Sequence, residues 1–184
     1  MKIGIDIDDT LTNTVELQKK YWIEYVKKHP HKEYNEEIPK NINTFGFKYI
    51  EDYWDLYREL LFYPSFKKNA SLVTNKLDKE GYELCIITSR PDYKYKDLHK
   101  RLEEWFKQNN IPIKNIYTNI KNKGHYCKKK NIDLLIDNDI AQINEANKYN
   151  VKTIMFNNLE EYNGLKTTDW LELYEIIKKE FPNK

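Results

Sequence analysis

At 184 residues, 40% of them hydrophobic and 33% charged, the chain has room for one ordinary domain and a modest insertion; with only five Gly and six Pro it carries no linker-like tract. Its 31 basic and 29 acidic residues are interleaved and leave a net charge of +2, which argues against a dedicated nucleic-acid surface. No apolar run reaches the roughly 20 residues that cross a bilayer, and the two cysteines form neither a disulfide framework nor a metal-ligand spacing. The first residues read as a strand and not as a leader peptide, so a cytoplasmic protein with no membrane partner is expected.

The first apolar run, Lys2–Ile7, reads as a strand that closes on Asp6, Asp8, Asp9 and Thr10. The interval from about Leu11 to Phe66 is too long for one crossover. Val15, Trp22, Ile23 and Val26 mark one helix in it, and Ile50, Tyr53, Trp54, Tyr57, Leu60 and Leu61 mark a second. It is expected to be a small helical cap (residues 12–66) inserted after the first strand and lying over the sheet edge. Residues 1–11 and 67–184 then form the α/β core.

Ala70, Val73 and Leu77 share a helix face, with Gly81 as its C-cap. The strand Glu83–Thr88 follows and runs into Ser89 and Arg90. Leu98, Leu102, Trp105 and Phe106 repeat at helical spacing until Asn109, Asn110 and Pro112 stop them. The strand Ile113–Thr118 precedes Lys121 and Lys123, and Ile132–Ile136 ends in Asp137, Asn138 and Asp139. A helix starting at Ile140 and Ile143, the strand Val151–Phe156, and a helix through Trp170, Tyr174, Ile177 and Phe181 complete the chain. Alternating short apolar strands and helices predict an α/β fold: a three-layer, Rossmann-like parallel sheet with helices on both faces.

In such a fold the strand ends converge on one edge, and here they carry acids, a Thr-Ser pair and lysines. Several carboxylates gathered there repel one another unless a cation neutralises them, and a hard ion with oxygen ligands, most simply Mg²⁺, suits the set. Hydroxyls and a lysine on the same edge add donors for a phosphate. Taken together they read as metal-assisted phosphoryl transfer. Singly they mean less. Asp and Thr favour turns and caps, a Ser or Thr after a strand is as often a helix N-cap, and most lysines are solvated.

The segments Asp6-Ile7-Asp8-Asp9-Thr10, Ile86-Ile87-Thr88-Ser89-Arg90, a lysine, and Leu134-Leu135-Ile136-Asp137 together resemble the haloacid dehalogenase-like phosphatase superfamily. Its 5'(3')-deoxyribonucleotidase-type branch is the most similar. The resemblance implies that Asp6 attacks phosphorus and forms an aspartyl-phosphate, and that Asp8 protonates the leaving alcohol and then activates water. It implies phosphate binding by Thr88, Ser89 and Lys123, with Lys121 as the competing lysine. Mg²⁺ would be held by Asp6, the Asp8 backbone carbonyl and Asp137. Asp139 would act directly, through water, or only as a helix cap.

Alternation along an extended strand is expected to turn Asp6 and Asp8 to one side. Substrate contact is assigned to Arg90 and to Phe45 and Phe47, which flank Gly46 and offer faces for a nucleobase. The partner expected is a small phosphomonoester, with no stable nucleic-acid complex, and nothing in the sequence fixes an oligomeric state. Two alternatives stand beside the nucleotidase: a phosphatase of another small ester such as a sugar phosphate, and a non-enzymatic receiver-like domain that accepts phosphate on an aspartate.

Overall fold

The computed structural model describes residues 1–28, 47–159 and 161–183. Five parallel strands, β1 (Lys2–Ile5), β2 (Glu83–Ile87), β3 (Asn115–Tyr117), β4 (Leu134–Asp137) and β5 (Lys152–Met155), form one sheet in the order β3-β2-β1-β4-β5. The chain steps outward from β1 through β2 to β3, then returns to the far side of β1 for β4. The gap between β1 and β4 is therefore the switch point of the sheet. Receiver domains of the flavodoxin-like type use the order 2-1-3-4-5, which this sheet does not have.

The register sets strand ends side by side: Ile5 pairs with Ile86 and with Ile136, and Ile87 with Tyr117. Every residue of β4, and all but the first of β1 and β2, is buried, as expected of strands covered on both faces. Cys85, Ile87 and Leu135 point to one face and pack with Cys127 of α5 (Lys123–Lys129), Ala146 of α6 (Ile140–Lys148), Ile132 and Val151. By alternation Ile3, Ile5, Leu84, Ile86, Leu134 and Ile136 face the other layer. There α3 (Ala70–Lys79) and α7 (Trp170–Glu180) pack side by side. The fold is thus the expected three-layer α/β sheet.

One local motif recurs ahead of four strands. The helices α3, α4 (Leu98–Gln108), α5 and α6 are each followed by a left-handed residue, respectively Gly81, Asn110, Asn131 and Asn150. The next residue then donates its N–H back five positions: Tyr82 to Leu77, Ile111 to Phe106, Ile132 to Cys127 and Val151 to Ala146. Both members of each pair are buried, so the apolar contact that accompanies this closure is present every time. Asn tolerates the left-handed region better than other side chains and stands in for Gly at three of the four ends.

Residues 13–65 form a separate compact unit, and residues 1–12 with 66–184 form the other. In the smaller unit α1 (Thr14–Lys28) and α2 (Phe47–Tyr57) bury an aromatic cluster of Trp22, Tyr25, Tyr53 and Tyr57 with Val26 and Leu61. Trp22 and Tyr53 meet edge to face at 5.2 Å, and the Tyr53 hydroxyl donates to the Gln18 carbonyl. Three positions expected on the apolar faces, Val15, Ile23 and Leu60, are exposed instead. Tyr53 and Tyr57 of α2 are buried, as is Leu61 in the turn that follows, whereas Leu60 lies past the end of the helix and off that line. Among the described residues no helix is long and apolar enough to span a membrane.

Cys85 and Cys127 are fully buried, and burial pushes both thiols up to about 12. The folded protein should therefore fail to react with Ellman's reagent at pH 8, and both thiols should titrate once denaturant is added. Rapid labelling of either thiol without denaturant would contradict the packing of this layer.

Candidate active site

Strand β1 ends at Ile5, two residues short of the sequence-based expectation. Asp6 is still extended, and its N–H donates to the Ile136 carbonyl at 3.0 Å, which ties the end of β1 to the end of β4. Ile7–Leu11 then coil into a single tight turn in which Asp9 is left-handed at φ 58°. The Thr12 hydroxyl and N–H both donate to the Ile7 carbonyl, and the Trp170 indole N–H, from α7, donates to the Thr10 carbonyl at 3.2 Å. The turn is held from several sides and carries its acids outward from the sheet.

The centre of the site is one lysine between two carboxylates. Lys123 Nζ lies 2.5 Å from Asp6 Oδ1 and 2.6 Å from Asp137 Oδ2, and all three side chains are at most 7% exposed. The other Asp137 oxygen accepts the Asp139 N–H at 2.9 Å. Asp139 is exposed and its carboxylate accepts the Ala141 N–H, so among the alternatives left open for it the structure shows a helix cap. Lys121, the competing lysine, is exposed, and its carbonyl accepts from Gln142.

Lys123 owes its place to a contact between two helices. It is the first residue of α5, and its N–H donates to Gln142 Oε1 of α6 at 3.2 Å. The next N–H, of Gly124, donates to Glu145 at 2.5 Å. A Cβ at position 124 would sit 2.5 Å from the Ala146 Cα, closer than real atoms come, so only glycine lets α5 approach α6 this far. Gln142 and Glu145 were not singled out from the sequence. Gly124 directly after a lysine was the one local sign of this approach.

Charge in this cluster does not balance: two buried carboxylates share one ammonium. Burial pushes the Asp6 carboxyl up to about 8; Lys123 opposes that shift, while Asp137 and Asp8 add to it. Burial likewise raises Asp137 against the pull of Lys123. For Lys123, burial acts to lower the pKa, but the two carboxylates outweigh it and hold the ammonium above the ordinary lysine range.

Asp8 does not join this cluster. Its two oxygens accept from Arg90, Oδ2 from Nε at 3.1 Å and Oδ1 from Nη2 at 2.8 Å. The expectation that Asp6 and Asp8 turn to one side assumed that the strand runs through both; the turn that begins after Asp6 sends the second acid to a different cation. Arg90, assigned to substrate contact, is 6% exposed and engages Asp8 instead, with its guanidinium carbon 5.9 Å from the Trp105 ring centre.

Thr88 is fully buried at the end of β2, where its hydroxyl accepts the Arg90 N–H and its backbone bonds to Tyr117 and Ile120. Ser89 is exposed beside it. Phe47 opens α2, and Phe45 lies outside the described residues.

Among the described residues no three His, Cys, Asp or Glu side chains converge as a metal-binding group. The residues still fit one oxygen-seeking cation. Asp6 and Asp137 grip the same lysine nitrogen, so those two oxygens lie within 5.1 Å of each other, the sum of the two distances. Their excess negative charge is buried, which favours a cation. Mg²⁺ commonly binds through one or two carboxylates and completes its shell with water and substrate phosphate, so a third acidic side chain is not required.

Removing Lys123 leaves both carboxylates uncompensated. Lys123→Met should lower the unfolding free energy by about 3–5 kcal/mol, read by urea titration in EDTA at pH 7. Because the folded lysine titrates above 10.5, its contribution is complete below that pH and disappears as pH rises through the folded value. A variant as stable as the wild type at pH 7 would contradict the arrangement.

No family model matches the chain, and no curated protein sequence matches it. Solved structures do match over almost its whole length. A Clostridium acetobutylicum protein described as a "predicted phosphatase" superposes with a TM-score of 0.69 at 16% identity, covering 97% of this chain and 98% of its own. A haloacid dehalogenase-like family hydrolase from Streptococcus pneumoniae gives a TM-score of 0.67 at 13% identity, covering 96% and 97%. A Bacillus subtilis protein named as a HAD-hydrolase, solved bound to magnesium, gives 0.65 at 12%, also covering 96% and 97%. The chain has the fold of haloacid dehalogenase-like hydrolases.

Proposed function

We propose that this chain is a Mg²⁺-dependent phosphomonoesterase that works through an aspartyl-phosphate on Asp6. The observation that carries this reading is the buried Lys123 held between Asp6 and Asp137 at the switch point of the sheet. Buried charges on that scale are costly to maintain in a merely structural site and are common where chemistry needs them. Bound by Asp6, Asp137 and the Asp8 carbonyl, Mg²⁺ would neutralise charge on the phosphoryl oxygens and keep Asp6 ionised.

The chain's own residues then account for each proton and bond. An Asp6 oxygen attacks phosphorus as the ester P–O bond breaks, and the departing alkoxide takes a proton from Asp8. Water next attacks the phosphorus of the acyl phosphate, giving its proton to Asp8 as the P–O bond to Asp6 breaks and phosphate leaves. Lys123 offsets the charge that builds on the phosphoryl group in both steps, and the Thr88 and Ser89 segment supplies polar groups beside it.

For the substrate we propose a small phosphomonoester, a nucleoside monophosphate as in 5'(3')-deoxyribonucleotidases. The support is the segment Ile86-Ile87-Thr88-Ser89-Arg90, the compact aromatic-rich helical unit, and a near-neutral charge ill suited to polynucleotides. A sugar phosphate is the second candidate within the same chemistry. A receiver-like role fits less well, because the strand order differs from that of receivers.

The test is phosphate release from a panel of deoxy- and ribonucleoside 5'- and 3'-monophosphates, sugar phosphates and an aryl phosphate, with Mg²⁺ and with EDTA. Release should depend on Mg²⁺, favour deoxynucleotides and drop below about 10⁻³ of wild type in Asp6→Asn, which keeps the fold. Undiminished turnover by Asp6→Asn would overturn the mechanism, and preference for sugar phosphates would overturn the nucleotidase assignment alone.

A further inference from the structure

We propose that Arg90 is a positioning residue for Asp8: a buried guanidinium, near the Trp105 ring, fixes the plane in which the Asp8 carboxylate meets the reacting phosphoryl group. The inference rests on the phosphomonoesterase reading above and assigns a role that Asp8 alone cannot fill.

Asp8 sits where its own backbone gives it little guidance. The strand has ended, the next residue is left-handed, and the Asp8 side chain is 37% exposed, so an aspartate there has rotamers to choose from. Arg90 removes that choice. Two of its N–H groups meet the two carboxylate oxygens at 3.1 and 2.8 Å, a planar two-point contact that defines orientation as well as distance.

Arg90 is itself fixed. Its N–H donates to the Thr88 hydroxyl, and its carbonyl accepts the Asn119 N–H at 2.9 Å. Its guanidinium lies 5.9 Å from the centre of the Trp105 ring, and that ring packs on Phe66 at 4.7 Å. Burial acts to lower the Arg90 pKa, but the Asp8 charge outweighs it, so the guanidinium stays charged.

At 6% exposure the Arg90 side chain offers a ligand almost no surface, which makes direct substrate recognition the weaker assignment. A carboxylate has about four acceptor sites, and the two contacts with Arg90 use two of them. One fixed plane can then serve both the leaving alcohol and the attacking water, which pass through the same position relative to phosphorus. Lysine cannot reproduce this contact, because an ammonium is a point charge without the planar fork.

A double-mutant cycle on the Mg²⁺-loaded enzyme tests the proposal, with the best phosphomonoester of the panel as substrate and melting temperature as a check on folding. Arg90→Met should lower kcat about 10- to 100-fold and leave KM within about threefold, because the group lost acts through Asp8. In an Asp8→Asn background the same change should alter kcat by less than about twofold. Arg90→Lys, the milder variant should Arg90→Met fail to fold, should remain at least about tenfold slow.

Additive losses in the two backgrounds would overturn the proposal, as would a rise in KM at constant kcat or full rescue by Arg90→Lys. Failure of the underlying reading looks different: Asp8→Asn would then turn over at the wild-type rate, or the wild type would release no phosphate, and both proposals would fall.

Discussion

A single ammonium shared by two buried carboxylates is the constraint on which this structure turns. Lys123 reaches Asp6, 117 positions away, and Asp137, 14 positions away, so the contact binds three segments that only the sheet topology brings together. Desolvating three ionisable groups is costly, and the attraction between them offsets that cost only when the geometry is tight. Much of the surrounding fold serves that geometry. The parallel register places Ile5 beside Ile136, the Asp6 N–H closes the gap between β1 and β4, and Gln142 and Glu145 hold the first turn of α5 in position. With both acids ionised the cluster carries one negative charge more than Lys123 neutralises, which is why a cation suits it better than any neutral ligand.

The second constraint is the turn after Asp6. Had β1 continued, alternation would have put Asp6 and Asp8 on one face, with three carboxylates crowded around Lys123. Ending the strand at Ile5 and passing through a left-handed Asp9 separates the two acids and gives each its own cation. The two carboxylates therefore sit in different electrostatic surroundings, Asp6 beside Lys123 and Asp137, Asp8 beside Arg90. The strained residue lies between them, where backbone strain is common in functional turns.

Much of this was legible in the sequence because it is local. Apolar runs of strand length, helical spacing of large side chains and polar residues at strand ends located the sheet, its helices and the edge where Asp6, Thr88, Lys123 and Asp137 gather. The rest depends on contacts that no local pattern encodes. The pairing of Arg90 with Asp8 spans 82 positions, and the hydrogen bond from Trp170 to Thr10 spans 160. Lys121 and Lys123 look alike in sequence. What separates them is the point at which α5 begins and the missing Cβ at Gly124 that lets it meet α6. Asp139 was ambiguous because a metal ligand and an N-cap both place an acid after a strand. Val15, Ile23 and Leu60 misled because an apolar residue near a helix face need not be buried in so small a unit. Phe45 lies outside the described residues.

The most direct test of the central claim is to locate the covalent phosphoryl group. Turnover of a phosphomonoester with Mg²⁺ would be quenched in acid and the protein digested and mapped by mass spectrometry. The account predicts a base-labile acyl phosphate on Asp6, in the peptide that also carries Asp8 and Asp9, and its absence from Asp6→Asn. Continued turnover with the label on another residue, or with no protein-bound phosphate at any quench time, would contradict the account.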